Sequence, residues 1–263
     1  MRVSTKGDFV TDNAVIETML NHVSVRSFTG QLLEPDQVNT LLRAAQAAAS
    51  SNFLQAYTII DITEPQLLAK IATLAGDQPF VATGSNFFVF CADMARDLAA
   101  ATSAAQSSSD VARMASTVQG ADILLVASID AALAAQNLML AAESMGLGGC
   151  YIGGLRENID EISELLDVPE RVYPVFGVVI GYPAERNTPK PRLPLEAVVS
   201  QNQYNPDTAA LVAGYNEQMQ RYYASRPGGQ AHRTWIQGIV HTLLAHPRDY
   251  MLAFLNKRKW ILH

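Results

Sequence analysis

The chain has 263 residues, 49% of them hydrophobic, enough to bury a sizeable core in one large domain or two small ones. Its formal net charge of −6 gives no electrostatic reason to expect nucleic acid or an anionic membrane as a partner. The first residues lack an apolar h-region, so no signal peptide is predicted; Cys91 and Cys150, both in apolar surroundings, read as reduced core residues of a cytoplasmic protein.

Asp12 is a plausible N-cap for a first helix carrying Val15, Ile16, Met19 and Leu20 on one face. His22–Phe28 follows. If it is extended, its period of two puts His22, Ser24 and Arg26 on one side and Val23 and Val25 on the other. An imidazole, a hydroxyl and a guanidinium can all donate to an anion, and they equally suit the polar face of a half-solvated strand. Pro35 fits the first position of a second helix, with Leu41, Leu42 and Ala45 inward. Ser50-Ser51-Asn52 ends it, either as a turn or as a ligand-facing corner. Strands are predicted at Tyr57–Ile62, Asn86–Ala92 and Tyr173–Gly181, the middle one a continuous apolar run that suits burial on both faces. Pro65 opens a helix with Leu67, Leu68, Ile71 and Leu74 inward, and Gly76-Asp77-Gln78 is the turn after it. The serine-rich patch Ser103–Asp110 is predicted to be a mobile surface loop.

Asp122–Ser144 is the longest apolar segment, rich in Ala, Leu and Met. As a helix of ~24 residues it would run ~36 Å. Its apolar residues lie nearly all round, so burial on most sides is expected, while Asp130, Gln136 and Asn137 argue against a membrane span. Gly146 should stop it, and the glycines of Gly148–Gly154 allow close backbone approach or positive φ. Beyond them, Ile159, Ile162, Leu165 and Leu166 mark a short helix, and Lys190-Pro191-Arg192 places two cations on a stiff stretch. A helix over Asp207–Tyr223 faces Leu211, Tyr215, Met219 and Tyr222 inward, and two amphipathic segments follow, around Trp235–Leu244 and Tyr250–Leu255. Strands separated by more numerous helices read as an α+β domain, a sheet covered by helices.

The chain has no G-x-G-x-x-G, no phosphate-binding G-x-x-x-x-G-K-[ST] and no nucleophile elbow; its five histidines form no metal-ligand cluster. No pair of carboxylates stands out as acid and base. What remains is a set of cationic and hydroxyl donors plus glycines in four separated segments, which suits gripping a phosphorylated cofactor that carries the chemistry itself.

His22-x-Ser24-Val25-Arg26-Ser27-Phe28, Ser50–Gln55, Gly76-Asp77-Gln78, Gly146–Arg156, Gly177-x-x-x-Gly181-Tyr182-Pro183 and Lys190–Pro194 occur in the order seen in the nitroreductase superfamily. Over essentially the whole chain the sequence resembles its oxygen-insensitive NADPH-dependent branch of nitroreductases and flavin reductases. The resemblance implies the FMN-dependent nitroreductase α+β fold: a central, mostly antiparallel sheet flanked by helices, with the long central helix at a homodimer interface. It implies a single domain over 1–263 whose C-terminal extension, from about 206, wraps the partner subunit, and two FMN sites between subunits. By similarity, His22, Ser24, Lys190 and Arg192 would hold the FMN phosphate, and Arg26 would reach the ribityl chain and flavin. Ser50, Asn52 and Gln78 would contact the cofactor, and Tyr151, Ile152, Gly153 and Gly154 would lie along its ring. Arg226 and Arg233 would meet NADPH or NADH. No side chain is expected to be catalytic and no metal is expected. Flat electron acceptors (nitroaromatics, quinones, free flavins) would be reduced by a ping-pong cycle. A flavin carrier or redox sensor on the same scaffold is the alternative. Two departures from the family stand out: Val23 replaces the usual Arg of the first motif, and Ala231 replaces a second nucleotide-binding arginine.

Overall fold

The computed structural model describes residues 13–226, 234–245 and 247–260. The chain divides into two compact units: one holds the residues up to Asn187 together with those from Tyr250 onward, and the other is Thr188–Asp249.

The first unit is built on four strands, β1 (Tyr57–Ile62), β2 (Asn86–Asp93), β3 (Gly148–Ile152) and β4 (Val172–Gly181), in the order β1-β2-β4-β3 with every neighbour antiparallel. Successive side chains of β2 go to opposite faces, and both faces are apolar. Phe88 and Phe90 join Val178 and Ile180 in one core, against α2 (Pro35–Gln46) and the long α6 (Ala121–Ser144). Phe87, Val89 and Cys91 join Val179 and Ile152 in the other, against α3 (Pro65–Leu74) and α7 (Ile159–Leu165). Helices thus cover both sides of the sheet, as the continuous apolar run of β2 requires. Pro65 and Pro35 sit at the first turns of their helices, where a missing N–H costs nothing. Pro174 lies inside β4 rather than at its start, and the register shift between Phe90 and Cys91 opposite it absorbs the lost ladder bond.

Four expectations are corrected. The glycine-rich run, where no strand is predicted, holds one: Gly148–Ile152 is the edge strand β3, paired along its length with β4. The serine patch is the junction of two helices, α4 (Ala95–Ser103) and α5 (Ser108–Thr117); Ser107 caps α5, its Oγ accepting from the Asp110 N–H. Asn13 is the N-cap of α1 (Ala14–Leu20), its side chain accepting from the N–H groups of Val15 and Ile16; Asp12 lies outside the described residues. Finally, α6 is not buried on most sides. Ala127, Asp130, Ala131, Ala134, Leu138 and Ala142 pack inward, while Leu125, Ile129 and Leu133, spaced by four, form an apolar stripe 41–60% exposed. The helix is long and apolar enough to cross a membrane, by length and composition only.

The end of the chain closes a third core. Phe254 of α11 (Met251–Lys257) and Trp260 are fully buried with Tyr173, Ala127 and Ile159, and the Trp260 and Tyr173 rings meet edge to face at 5.7 Å.

In the second unit, α8 (Leu195–Val198) precedes α9 (Ala209–Ser225), which buries Tyr215 and Met219. Tyr215 packs edge to face on Trp235 of α10 (Trp235–Ala245), a helix with no buried residue.

Candidate functional site

The segment after α1 is extended and runs along the outer edge of β3. Ser24 forms an isolated parallel bridge with Gly149, and the Val25 N–H donates to the Gly149 carbonyl at 2.9 Å. The alternation is as expected: Val23 and Val25 are buried, His22 and Ser24 half-buried, and Arg26 exposed. Glycine is what admits this neighbour, because a Cβ on Gly148 would sit 2.4 Å from Val25 Cγ2.

His22 does not stand alone. Its Nδ1 lies 2.6 Å from Oε1 of Glu143, at the end of α6. Arg26 faces the Cys150 thiol, whose pKa is pushed up by burial and drawn back by that guanidinium. Beyond Cys150, the Tyr151 hydroxyl donates to Gln136 Oε1 at 3.2 Å; burial, and then the Glu143 carboxylate, push its pKa up, so the phenol stays protonated. Ile152 points into the core, so only its backbone is available to a ligand. The chain then turns through Gly153–Arg156. A Cβ on Gly154 would collide with the Ala75 carbonyl at 2.2 Å and with Gln78 Nε2 at 2.8 Å, which places Gln78 against this turn. A Cβ on Gly153 would meet nothing closer than Arg156 at 3.4 Å. His22, Ser24, Arg26, Gln78 and Tyr151–Gly154 are therefore gathered around β3 and the turn that follows it.

Ser50 and Asn52 are elsewhere. Their corner is bound to Asp130, a carboxylate only 1% exposed on the inner face of α6. The Ser50 hydroxyl donates to Oδ2 at 2.8 Å, the Ser51 N–H to Oδ1 at 3.0 Å and the Ala56 N–H to Oδ2 at 3.1 Å. Around this anchor, Asn52, Phe53 and Gln55 all adopt positive φ, at 48°, 58° and 57°. Asp130 and Glu143 are thirteen residues apart on one helix, about 20 Å at ~1.5 Å per residue. One copy of the chain therefore does not bring the Ser50–Asn52 corner to the His22 segment.

In the second unit, Lys190 and Arg192 are exposed on a segment tied to α9. The Tyr215 hydroxyl donates to the Pro191 carbonyl at 2.9 Å and that of Tyr222 to the Thr188 carbonyl at 3.3 Å. The Lys190 ammonium lies 5.9 Å from the Tyr223 ring centre, and the Arg226 guanidinium 5.8 Å from that of Tyr222. Arg233, like Ala231, lies outside the described residues.

Asp130 and Glu143 are the two site residues that sequence reasoning passed over. A signal existed for the first: Asp130 falls in the same inward series as Ala127, Ala131 and Ala134, where a carboxylate must have donors waiting. A depression of about 700 Å³ opens along the edge strand β1, lined by Asn39, Arg43, Gln46, Gln55, Thr58 and Arg96 among others, and none of the residues nominated from sequence lines it. Among the described residues, no group of His, Cys, Asp and Glu side chains is arranged to hold a metal ion.

The Nitroreductase family profile matches residues 19–182, and the profile of that family's C-terminal domain matches residues 190–263. An FMN reductase (NADPH) of Bacillus subtilis is 41% identical over 249 residues, covering 94% of this chain and 98% of the relative. An oxygen-insensitive NADPH nitroreductase of Salmonella typhimurium is 40% identical over 245 residues, covering 93% and 97%. A solved nitroreductase structure from B. subtilis superposes with a TM-score of 0.87 at 40% identity, covering 93% of this chain and 98% of that one.

Proposed function

The chain belongs to the nitroreductase family, and from that membership we propose that it is an FMN-dependent NAD(P)H oxidoreductase. Its acceptors are small, flat and electron-poor: nitroaromatics, quinones or free flavins. Donor and acceptor take turns at one site.

The observation that carries this reading is the row of His22, Ser24 and Arg26 laid beside β3, which runs through Tyr151 and Ile152 into the turn at Gly153 and Gly154. The donor set suits a phosphorylated flavin in its chemistry: an imidazole and a hydroxyl for the anion, a guanidinium two residues further on, and bare backbone at Gly153, where a Cβ would meet only the movable Arg156 guanidinium at 3.4 Å. Gln78 sits against the same turn. FMN, when bound, supplies the two-electron chemistry between NAD(P)H and the acceptor. The protein binds and orients it, and no side chain in the row has to act as acid or base. Val23, where the family commonly has Arg, is buried at 8% exposure and adds no donor. From the second unit we assign Lys190 and Arg192 to the phosphate, and Arg226, with Arg233, to the nicotinamide nucleotide.

Ser50 and Asn52 enter the site from a second copy. Their separation from His22 along α6 means that a flavin touching both draws them from two subunits. The uncovered stripe of Leu125, Ile129 and Leu133 gives α6 an apolar face to pack on its counterpart. From about residue 206 to Asp249, before it returns to its own first unit, the chain reaches over the partner, and α10, with Val240, Leu243 and Leu244 exposed, has an apolar face to give. We place the enzyme in the cytoplasm, where its donor is kept reduced, in keeping with two free, buried cysteines.

The test is direct. The purified protein is expected to be yellow and to bleach on anaerobic addition of NADPH or NADH, then to cycle with menadione. A colourless protein that takes up no FMN on reconstitution refutes the proposal, and a single reduction without cycling makes it a carrier.

A further inference from the structure

Glu143 is the penultimate residue of α6, and its side chain is 7% exposed. A carboxylate there works against the helix. The last carbonyls already present partial negative charge, which favours a cation and disfavours an acid. Taking the carboxylate out of water adds a further cost. Against these costs stands the contact of Oε1 with His22 Nδ1 at 2.6 Å. Resting on the reading of the chain as an FMN enzyme, we propose that Glu143 is a positioning residue for the cofactor phosphate: it holds His22 by Nδ1 and leaves Nε2 as the ring nitrogen that meets the anion.

The chemistry follows from proton counting. An ionised carboxylate only accepts, so Nδ1 carries a proton. A neutral ring held in this way would present a lone pair at Nε2, which a phosphate repels. A ring carrying both protons presents an N–H there instead. In that form Nδ1–H is held by the Glu143 carboxylate and Nε2–H is left for the phosphate. The same carboxylate also acts through space on Tyr151 of β3, where it disfavours the phenolate.

Riboflavin is the same flavin without the phosphate, and the comparison of the two isolates the contribution of His22. The full chain is stripped of flavin and titrated with each by fluorescence quenching. Glu143→Gln keeps an acceptor oxygen for Nδ1 and removes the charge; Glu143→Ala removes both. Riboflavin affinity is expected to hold within about twofold in both variants, while FMN affinity falls about tenfold or more in Glu143→Ala and less in Glu143→Gln, the scale of one charge-assisted hydrogen bond. The phosphorus resonance of bound FMN shifts in Glu143→Ala. The Tm of the flavin-free chain holds or rises, because an acid has left the last turn of α6. Parallel loss of both flavins, or unchanged FMN affinity, or a lowered Tm with the FMN-to-riboflavin ratio intact, overturns the proposal while the wild type still binds FMN and the functional reading stands. A wild-type chain that binds neither flavin overturns both.

Discussion

Asp130→Ala should be among the most damaging single substitutions in the first unit. The native carboxylate accepts three hydrogen bonds, from the Ser50 hydroxyl and the Ser51 and Ala56 N–H groups. Bonds to an ionised acceptor contribute about 1.5–3 kcal/mol each, and Ala56 is fully buried, so its N–H has no water to turn to. The same substitution releases a buried charge, which offsets part of the loss. The net destabilisation is expected at about 3–5 kcal/mol, from three donors left unsatisfied at about 1–3 kcal/mol each, less the relief of the buried charge. The corner it anchors has little stability of its own, because left-handed backbone at Asn52, Phe53 and Gln55 costs roughly 1 kcal/mol per residue. Asp130→Asn is the graded control. Its one oxygen can still take Ser50 Oγ and Ala56 N–H, but its NH₂ then confronts the Ser51 N–H, for an expected loss of about 1–3 kcal/mol. Urea unfolding of the flavin-free chain, at one protein concentration and followed by two probes, gives both values. An alanine variant within about 0.5 kcal/mol of wild type, or an asparagine variant as unstable as alanine, would refute the reasoning.

Three further outcomes are expected. Arg192→Ala should weaken FMN binding by about 1.5–3 kcal/mol by removing a charge-assisted contact to phosphate; unchanged affinity in a fluorescence titration would make Lys190-Pro191-Arg192 a solvated loop. Leu133→Glu puts a charge into the exposed stripe of α6 and should turn a dimer into a monomer in sedimentation, with loss of flavin, because burying an unpaired carboxylate costs several kcal/mol; a variant that stays dimeric would mean the stripe is not the interface. Arg226→Ala should raise KM for NADPH more than for NADH if its guanidinium meets the 2′-phosphate, and equal changes with the two donors would remove it from nucleotide recognition.

What could be read from the sequence, and what could not, follows from how each element is stabilised. The strand at Asn86–Ala92 was legible because both of its faces are buried, so every residue from Phe87 to Ala92 is apolar. The alternation of His22, Ser24 and Arg26 against Val23 and Val25 was legible for the opposite reason, one wet face and one dry. β3 escaped because its opening glycines have no strand propensity; they are there so that Val25 on one side and Met139 and Ile180 on the other can come close, a tertiary demand with no local signature. The start of α5 was hidden in a serine run whose compositional bias concealed one capping hydroxyl. The apolar circumference of α6 suggested burial all round, but composition does not distinguish a face that meets its own core from one left for another molecule. The pairing of Glu143 with His22 spans 121 residues and had no trace in spacing.

The closing of the third core by Phe254 and Trp260 sets a limit on how this polypeptide can be cut. Thr188–Asp249 is not a tail but a detour, because the chain leaves the first unit and comes back to it. The cavity that Trp260 fills beside Tyr173 stays open until the chain has passed through the detour and returned, so the first unit is closed only by residues that follow it. A fragment ending near Asn187 would retain all four described strands and still carry an unfilled hole the size of an indole. Expression trials on such a truncation should yield aggregates, whereas excising the detour and joining its two ends offers the better route to a minimal version.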